Sequence, residues 1–479
     1  MELMMPDFAL AAPEMFLLGM TCLILVVDAY VPERYRPLTY HLSQATLVVT
    51  LVLSIALFPR VPSVTFYGMF VSDGMSAALK VFILLITYFV FFYSRAYLQE
   101  RNLFKGEYFV LGLFAVLGMM VLVSAHSLLT VYLGLELLSL CLYSLVALNR
   151  DSITASEAAM KYFVLGALAS GMLLYGMSLI YGATSTLNLD EISSFIAVYQ
   201  GEDTILTLGL VFVLVGIAFK LGAVPFHMWV PDVYEGAPTS VTLFIASAPK
   251  IAAFGMLMRL LVDGLSGLQE DWSGMLTILA ILSMGIGNVV AIAQTNLKRM
   301  LAYSTIAHVG FLFLGIIAGT ASGYAASMFY IISYALMSMG AFGMIVWLGQ
   351  AGYEADRLED FKGLNERNPW FAFLMMVLML SMAGAPPFVG FWAKWSVLRE
   401  VIASGSTWIA VVAVAFAVIG LFYYLRVVRL MYFEKADDQT PVASTSEMRV
   451  MVSTNALAIL ALGVYPGGLL ALCAAALSG

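Results

Sequence analysis

The chain has 479 residues, of which 62% are hydrophobic and 11% charged, with a net charge of −7. An ordinary soluble domain carries about 25% charged residues, and no soluble fold can hide this much apolar surface. A bilayer can, because a helix of about 20 mostly apolar residues satisfies its own backbone in hydrocarbon; the net charge is then a loop property and identifies no partner.

Residues 1–8 hold Glu2 and Asp7 but no Lys or Arg, whereas a secretory leader needs a basic start, so the first apolar run is expected to be retained. Apolar stretches between polar breaks predict about 14 spans, centred near Leu18, Val49, Leu84, Val116, Leu138, Gly171, Val213, Ala248, Ile281, Phe311, Ser333, Ser381, Val414 and Ile459. The polar stretches 184–203, 350–368 and 435–447 read as connectors with at most short surface helices. Cys22, Cys141 and Cys473 lie in separate apolar runs without metal-like spacing and read as small buried hydrophobes. Of the 23 Lys and Arg, fifteen fall in odd-numbered loops and only Arg60, Arg259 and Arg399 in even ones, with Lys298 and Arg299 among the fifteen. The positive-inside bias then places the odd loops in the cytoplasm and both termini on the periplasmic side.

Five lysines remain inside spans: Lys80, Lys161, Lys220, Lys250 and Lys394. The seventh span runs to Lys220 and then meets LGAVPFHMWVPDVYEGAP, and the twelfth runs into MAGAPPFVGFWAKW. Proline inside an apolar helix removes a backbone donor and clashes with the preceding turn, so both spans are predicted to be discontinuous. They stand five spans apart, which makes spans 4 to 8 and 9 to 13 an inverted pair, and matched breaks of this kind point to an ion site near the midplane. The organisation expected is a single all-α membrane domain over 1–479: helices 1 to 3 in 1–106, a first inverted five-helix repeat in 107–262, a second in 273–435, and helix 14 in 450–479.

A lysine at the centre of a span costs about 2.5 to 3.5 kcal/mol on insertion scales, so four deep ones cost on the order of 10 kcal/mol before compensation. A poorly solvated site disfavours the charged form, so such a lysine can release and regain a proton, and each becomes a candidate relay station. Glu136 is the acidic residue deep in a span of the same half as Lys161, Lys220 and Lys250, and an ion pair with Lys220 is the natural inference, static or switching. Lys250 is central in the eighth span and Lys394 follows the second break. His308, near Ser304 and Thr305 in the tenth span, can carry protons laterally or serve as a structural hydrogen-bonding residue. His227 follows the first break as a weaker candidate. His41 and His126 lie near span ends without an assigned role, and Lys80 is expected to snorkel to the interface.

The sequence has no phosphate-binding Gly-Lys-Ser/Thr loop, dinucleotide fingerprint, Cys cluster or paired-His haem pattern, which argues against electron transfer in this chain, and nothing suggests nucleic-acid binding.

The segments KLGAVPFHMWVPDVYEGAPTSVTLFIASAPKIAAFGM, QTNLKRMLAYSTIAHVGF and GAPPFVGFWAKW closely resemble the antiporter-like membrane subunits of proton-pumping NADH:quinone oxidoreductase, respiratory complex I. Among these, PDVYEGAPT and the lysines of APKIAAFG and GFWAKW look like the branch whose second break is followed by lysine rather than an acid and that lacks a long C-terminal extension. The resemblance covers nearly the whole length. It implies that Glu136 and Lys220 are the pair of the first half-channel, Lys250 the central lysine, Lys394 the terminal one, and Lys161 an additional lysine near the pair. It further implies a bacterial inner-membrane protein whose partners are the lipid bilayer and other membrane subunits, including homologous antiporter-like chains. NADH, FMN, iron–sulfur clusters and quinone are expected in other subunits. The competing readings are a subunit of a multi-chain sodium/proton antiporter, and a scaffold whose lysines only hold the bundle or bind lipid headgroups.

Overall fold

A computed structural model describes residues 5–198, 204–349, 353–435 and 445–478. The first helices are α1 (Ala12–Tyr30), α2 (Pro37–Ala56), α3 (Gly74–Glu100), α4 (Gly106–Val123), α5 (Leu128–Val146) and α6 (Ile153–Thr184), with a hairpin of β1 (Ser63–Thr65) and β2 (Phe70–Ser72) between α2 and α3. A surface helix, α7 (Leu189–Val198), precedes α8 (Thr204–Leu221), α9 (Trp229–Gly236), α10 (Thr239–Ile245) and α11 (Ala248–Leu257), the last running into a π-helical turn over Met258–Gly264. Then follow α12 (Gln269–Ile292), α13 (Leu297–Ile317), α14 (Ala321–Leu348), the short α15 (Leu364–Arg367), α16 (Pro369–Ala383), α17 (Val389–Ala403), α18 (Thr407–Phe433), α19 (Ser446–Val464) and α20 (Gly467–Ala476).

All fourteen predicted span centres fall within these helices. Among the described residues thirteen helical segments are long and apolar enough to cross a membrane, twelve built on one long helix each and one on α10 and α11 together; the twelfth predicted span is made of the two shorter helices α16 and α17. Polar residues in the loops start several of them: Asp73 accepts from Ser76 N at 2.8 Å, Asn296 from Arg299 N at 3.0 Å and Thr320 from Gly323 N at 3.0 Å, each satisfying an orphan donor of a first turn. Consecutive helices meet through small residues. A Cβ on Gly118 of α4 would lie 2.7 Å from Leu138 N of α5, and one on Gly134 of α5 would lie 2.8 Å from Leu122 N, so this seam closes only on glycine.

The span formed by α10 and α11 is wholly buried and those of α14 and α13 are 94% and 89% buried, whereas α1, α6, α18 and α19 are 33% buried. The inner helices therefore form the protein core and the outer ones turn Leu, Val and Phe side chains toward lipid. Cys22 on α1 is exposed, unlike Cys141 and Cys473, because α1 is an outer helix.

Both predicted breaks are present and built alike. Helix α8 ends in Gly222 at φ +85° and α16 in Gly384 at φ +88°. Ala223 N donates to Ala218 O at 2.8 Å, and Ala385 N to Leu380 O at 3.0 Å, the Schellman closure in which a left-handed residue terminates a helix. A cis X-Pro bond follows each, at Val224-Pro225 and Pro386-Pro387. A serine takes up a freed amide in each: Val224 N donates to Ser283 Oγ at 2.9 Å and Gly390 N to Ser381 Oγ at 3.2 Å. The eighth span is also interrupted, between α10 and α11, where Pro249 removes an amide and the Ser247 hydroxyl bonds the Leu243 carbonyl at 2.7 Å. Pro466 separates α19 from α20. Most of the predicted 435–447 connector lies outside the described residues.

Candidate functional site

A helix that stops inside a bundle leaves carbonyls without intrahelical donors, and these carry the negative end of the helix dipole. At each break a lysine meets them. Lys250 of α11 is 2% exposed, and its Nζ donates to Leu221 O, the last carbonyl of α8, at 2.8 Å. Lys394 of α17 donates to Ala383 O at 2.8 Å and to Met382 O at 3.2 Å, the last carbonyls of α16. An aromatic face flanks each ammonium: Trp229 with its centroid 5.2 Å from Lys250 Nζ, and Phe311 at 5.1 Å from Lys394 Nζ. Trp229 is itself fixed, donating through Nε1 to Phe219 O at 2.9 Å and stacking on Tyr162 at 4.5 Å.

Lys220, in the last turn of α8, is buried, but the expected ion pair with Glu136 is not formed. Its Nζ donates instead to Ser139 Oγ at 2.8 Å. Glu136 lies one turn away on α5, half-buried, with Oε1 enclosed and without a hydrogen-bond partner. Spacing alone places Glu136 and Ser139 on the same helix face; which one Lys220 chooses is settled by packing.

His308 of α13 sits in a chain of hydroxyls. Its Nδ1 is 2.7 Å from Tyr330 Oη of α14 and its Nε2 3.0 Å from Tyr424 Oη of α18, and Tyr424 also hydrogen-bonds Ser304. Tyr334 donates to Thr305 Oγ1 at 2.6 Å, and Tyr423 to Asn288 Oδ1 at 3.0 Å. Sequence reasoning selects Ser304, Thr305 and His308 but misses the tyrosines and Asn288. The available signal was polar groups in otherwise apolar runs of α14, α18 and α12, but tyrosine is too common in spans to single out.

Other candidates fall elsewhere. Lys161 is not deep: its side chain is 44% exposed, and it pairs with Glu157 at 2.9 Å and Asp232 at 2.8 Å. Arg299 joins the same cluster at 2.9 Å from Asp232 and 2.8 Å from Glu235, around a surface cavity of about 360 Å³. His227 is half-buried in the first break with Nδ1 unpartnered.

Lys80 does not snorkel; it is 4% exposed and its Nζ lies 2.6 Å from Glu14 Oε1, a pair between α3 and α1 that was invisible from sequence. Arg259, assigned to a loop by charge counting, is buried in the π-helical turn, where it binds Asp73 at 2.8 Å and Asp263 at 2.9 Å. Lys298 is 3% exposed at the start of α13 and donates to Ala237 O at 3.2 Å. His126 is buried, with Nε2 3.0 Å from Asp190.

Two discontinuous spans, each with a lysine on its freed carbonyls, define an antiporter-like membrane subunit. The family model described as NADH:quinone oxidoreductase/Mrp antiporter, TM matches residues 125–420. The chain is 58% identical over 474 residues to NADH-quinone oxidoreductase subunit N of Thioalkalivibrio sulfidiphilus, covering 99% of each. It is 56% identical over 479 residues to subunit N of Thiobacillus denitrificans, covering 100% of this chain and 99% of the relative. Its fold matches a chain of respiratory complex I from Thermus thermophilus with a TM-score of 0.83 at 32% identity, over 96% of this chain and 99% of that one. A chain of the Mrp complex from Dietzia matches with a TM-score of 0.84 at 21% identity, over 98% and 97%, which is a likeness of fold alone. The chain belongs to the NADH-quinone oxidoreductase subunit N family.

Proposed function

We propose that this chain is a proton-translocating membrane subunit of bacterial NADH:quinone oxidoreductase, driven by quinone reduction in other subunits that hold NADH, FMN and the iron–sulfur clusters. Protons pass from the cytoplasm along Lys220, Lys250, His308 and Lys394 to the periplasm, with Glu136 tuning Lys220, in a bacterial inner membrane with both termini on the periplasmic side. The Lys161 and Arg299 cluster lies on the cytoplasmic face, and His227 borders the first half-channel. The two breaks belong to inverted halves, 107–262 and 273–435. Membership of the subunit N family favours this reading over a free-standing sodium/proton antiporter subunit.

The observation that carries it is the seating of Lys250 and Lys394 on helix-end carbonyls rather than carboxylates. A dipole stabilises an ammonium without trapping it, because loss of the proton leaves no bare anion behind. His308, which follows Lys250 in the proposed order, has a hydroxyl on each ring nitrogen. In the neutral ring one nitrogen donates and the other accepts, so exchanging the tautomer moves a proton from one side of the ring to the other.

The test is proton pumping alongside NADH oxidation in membranes carrying Lys220→Ala, with assembly followed on native gels. Pumping and coupled turnover are expected to fall together by roughly 10²-fold or more in an assembled complex, the scale of a lost proton-transfer group. Full pumping in that variant overturns the relay.

A further inference from the structure

Lys220 faces two acceptors one turn apart on α5. Ser139 is 1% exposed and accepts from Lys220 Nζ at 2.8 Å while its own hydroxyl donates to Leu135 O at 2.6 Å. Glu136, the other acceptor, keeps Oε1 enclosed and unpartnered. Beside the ammonium is a cavity of about 10 Å³ lined by Ser139, Tyr143, Gly166, Ser170 and Lys220, about the volume that one water needs. The wall contributed by α6 is uncharged: a Cβ on Gly166 would lie 2.0 Å from Tyr143 Oη, so the tyrosine rests directly on that glycine. The nearest opposite charge on α5 is therefore the carboxylate that Lys220 does not touch.

We propose that Ser139 is a positioning residue for Lys220, its resting acceptor whenever the ammonium is apart from Glu136, so that the lysine alternates between these two groups. This rests on the proposed relay role of Lys220. The chemistry favours a hydroxyl at that place. Separating an ammonium from a carboxylate in a dry interior leaves two unpaired charges, and a second acceptor lowers that barrier. A carboxylate accepts only, so it holds the ammonium by charge and hydrogen bond but offers no proton to the lone pair of the neutral amine. A serine hydroxyl accepts from the ammonium and, after rotating away from the Leu135 carbonyl, donates to the amine once the proton has left. Ser139 can thus meet the Lys220 nitrogen as acceptor before the proton leaves and as donor afterwards, whereas Glu136 can only accept.

The experiment uses the assembled complex in native membranes. Ser139→Ala is expected to lower proton pumping and coupled NADH oxidation by roughly tenfold, the effect of one lost hydrogen bond to a charged group. Ser139→Thr keeps the hydroxyl and should retain near-normal pumping, its extra methyl having the cavity to enter. If the alanine variant fails to assemble, Ser139→Cys, similar in size but a weak acceptor, takes its place with the same loss expected. Full pumping in the assembled alanine or cysteine variant alongside failure of Lys220→Ala overturns the role of Ser139 and leaves that of Lys220 standing; full pumping in all overturns both. A loss that the threonine variant shares also overturns the proposal, since the hydroxyl is then not what matters.

Discussion

Lys250 and Lys394 are solvated alike although they lie on different helices: each ammonium takes the last carbonyls of a broken helix and faces an aromatic ring about 5 Å away. Between these lysines in the proposed order comes His308, whose bond to Tyr424 makes a sharp prediction. Tyr424→Phe removes the hydroxyl shared by His308 and Ser304 and changes little in volume. Proton pumping should fall roughly tenfold in an assembled complex, on the scale of one hydrogen bond in a relay. Quinone-linked pumping in membrane vesicles checks this, and an unchanged rate would remove Tyr424 from the path. The lysines were legible in sequence because a charge within an apolar run is conspicuous and costly. Their partners were not. Tyr330 and Tyr424 lie 22 and 116 residues from His308, and only the packing of three helices brings them to one ring. For the same reason a carboxylate on the correct helix face looked like the partner of Lys220, while the structure seats the ammonium one turn away.

The broken spans were readable because glycine and proline act locally. A left-handed glycine followed by proline can end a helix wherever it stands, and Gly222 and Gly384 do so at matching places. The interruption between α10 and α11 was harder to see, since Pro249 stands alone there without a preceding glycine. The β-hairpin went unread because two strands of three residues carry no periodicity. The pairing of α1 with α3 went unread for a different reason: Glu14 and Lys80 are each ordinary residues near span ends until the fold buries them together, with side chains 6% exposed. Removing one partner of a buried pair strands the other, at about 3–5 kcal/mol. Lys80→Met should therefore sharply reduce the amount of assembled complex on native gels and lower its melting temperature. The double variant Glu14→Gln with Lys80→Met removes both charges and should recover most of the loss. Equal losses in single and double variants would show that packing, rather than charge, holds α1 to α3.

At the scale of the whole molecule, the face bearing most of the basic loops ties three regions of the chain together through one carboxylate. Glu354 accepts from Tyr97 at 2.6 Å and from Arg101 at 2.9 Å, both on or beside α3, and from Thr239 at the start of α10 at 2.9 Å. Arg101 also donates to Gly349 O at the end of α14 at 2.7 Å, and Lys298 lies buried nearby at the start of α13. Burial works against the charged form of Glu354, but Lys298, Tyr97, Arg101 and Thr239 outweigh it and hold the carboxyl below its ordinary value of 4.5. A depressed carboxyl stabilises the folded state fully above its unfolded value, and that contribution is lost as pH falls through the folded one. The purified complex should thus hold its melting temperature from neutral pH down to about 5 and weaken below 4.5, where the unfolded chain begins to take up protons that the folded chain refuses. Glu354→Gln should melt lower at neutral pH, by about 1 kcal/mol given that the side chain is 40% exposed. The gap between variant and parent should close as the pH is lowered, because protonation removes from the parent what the substitution removed from the variant. A gap that stays constant across that range would mean that the junction of α3, α10 and the end of α14 rests on packing rather than on this carboxylate.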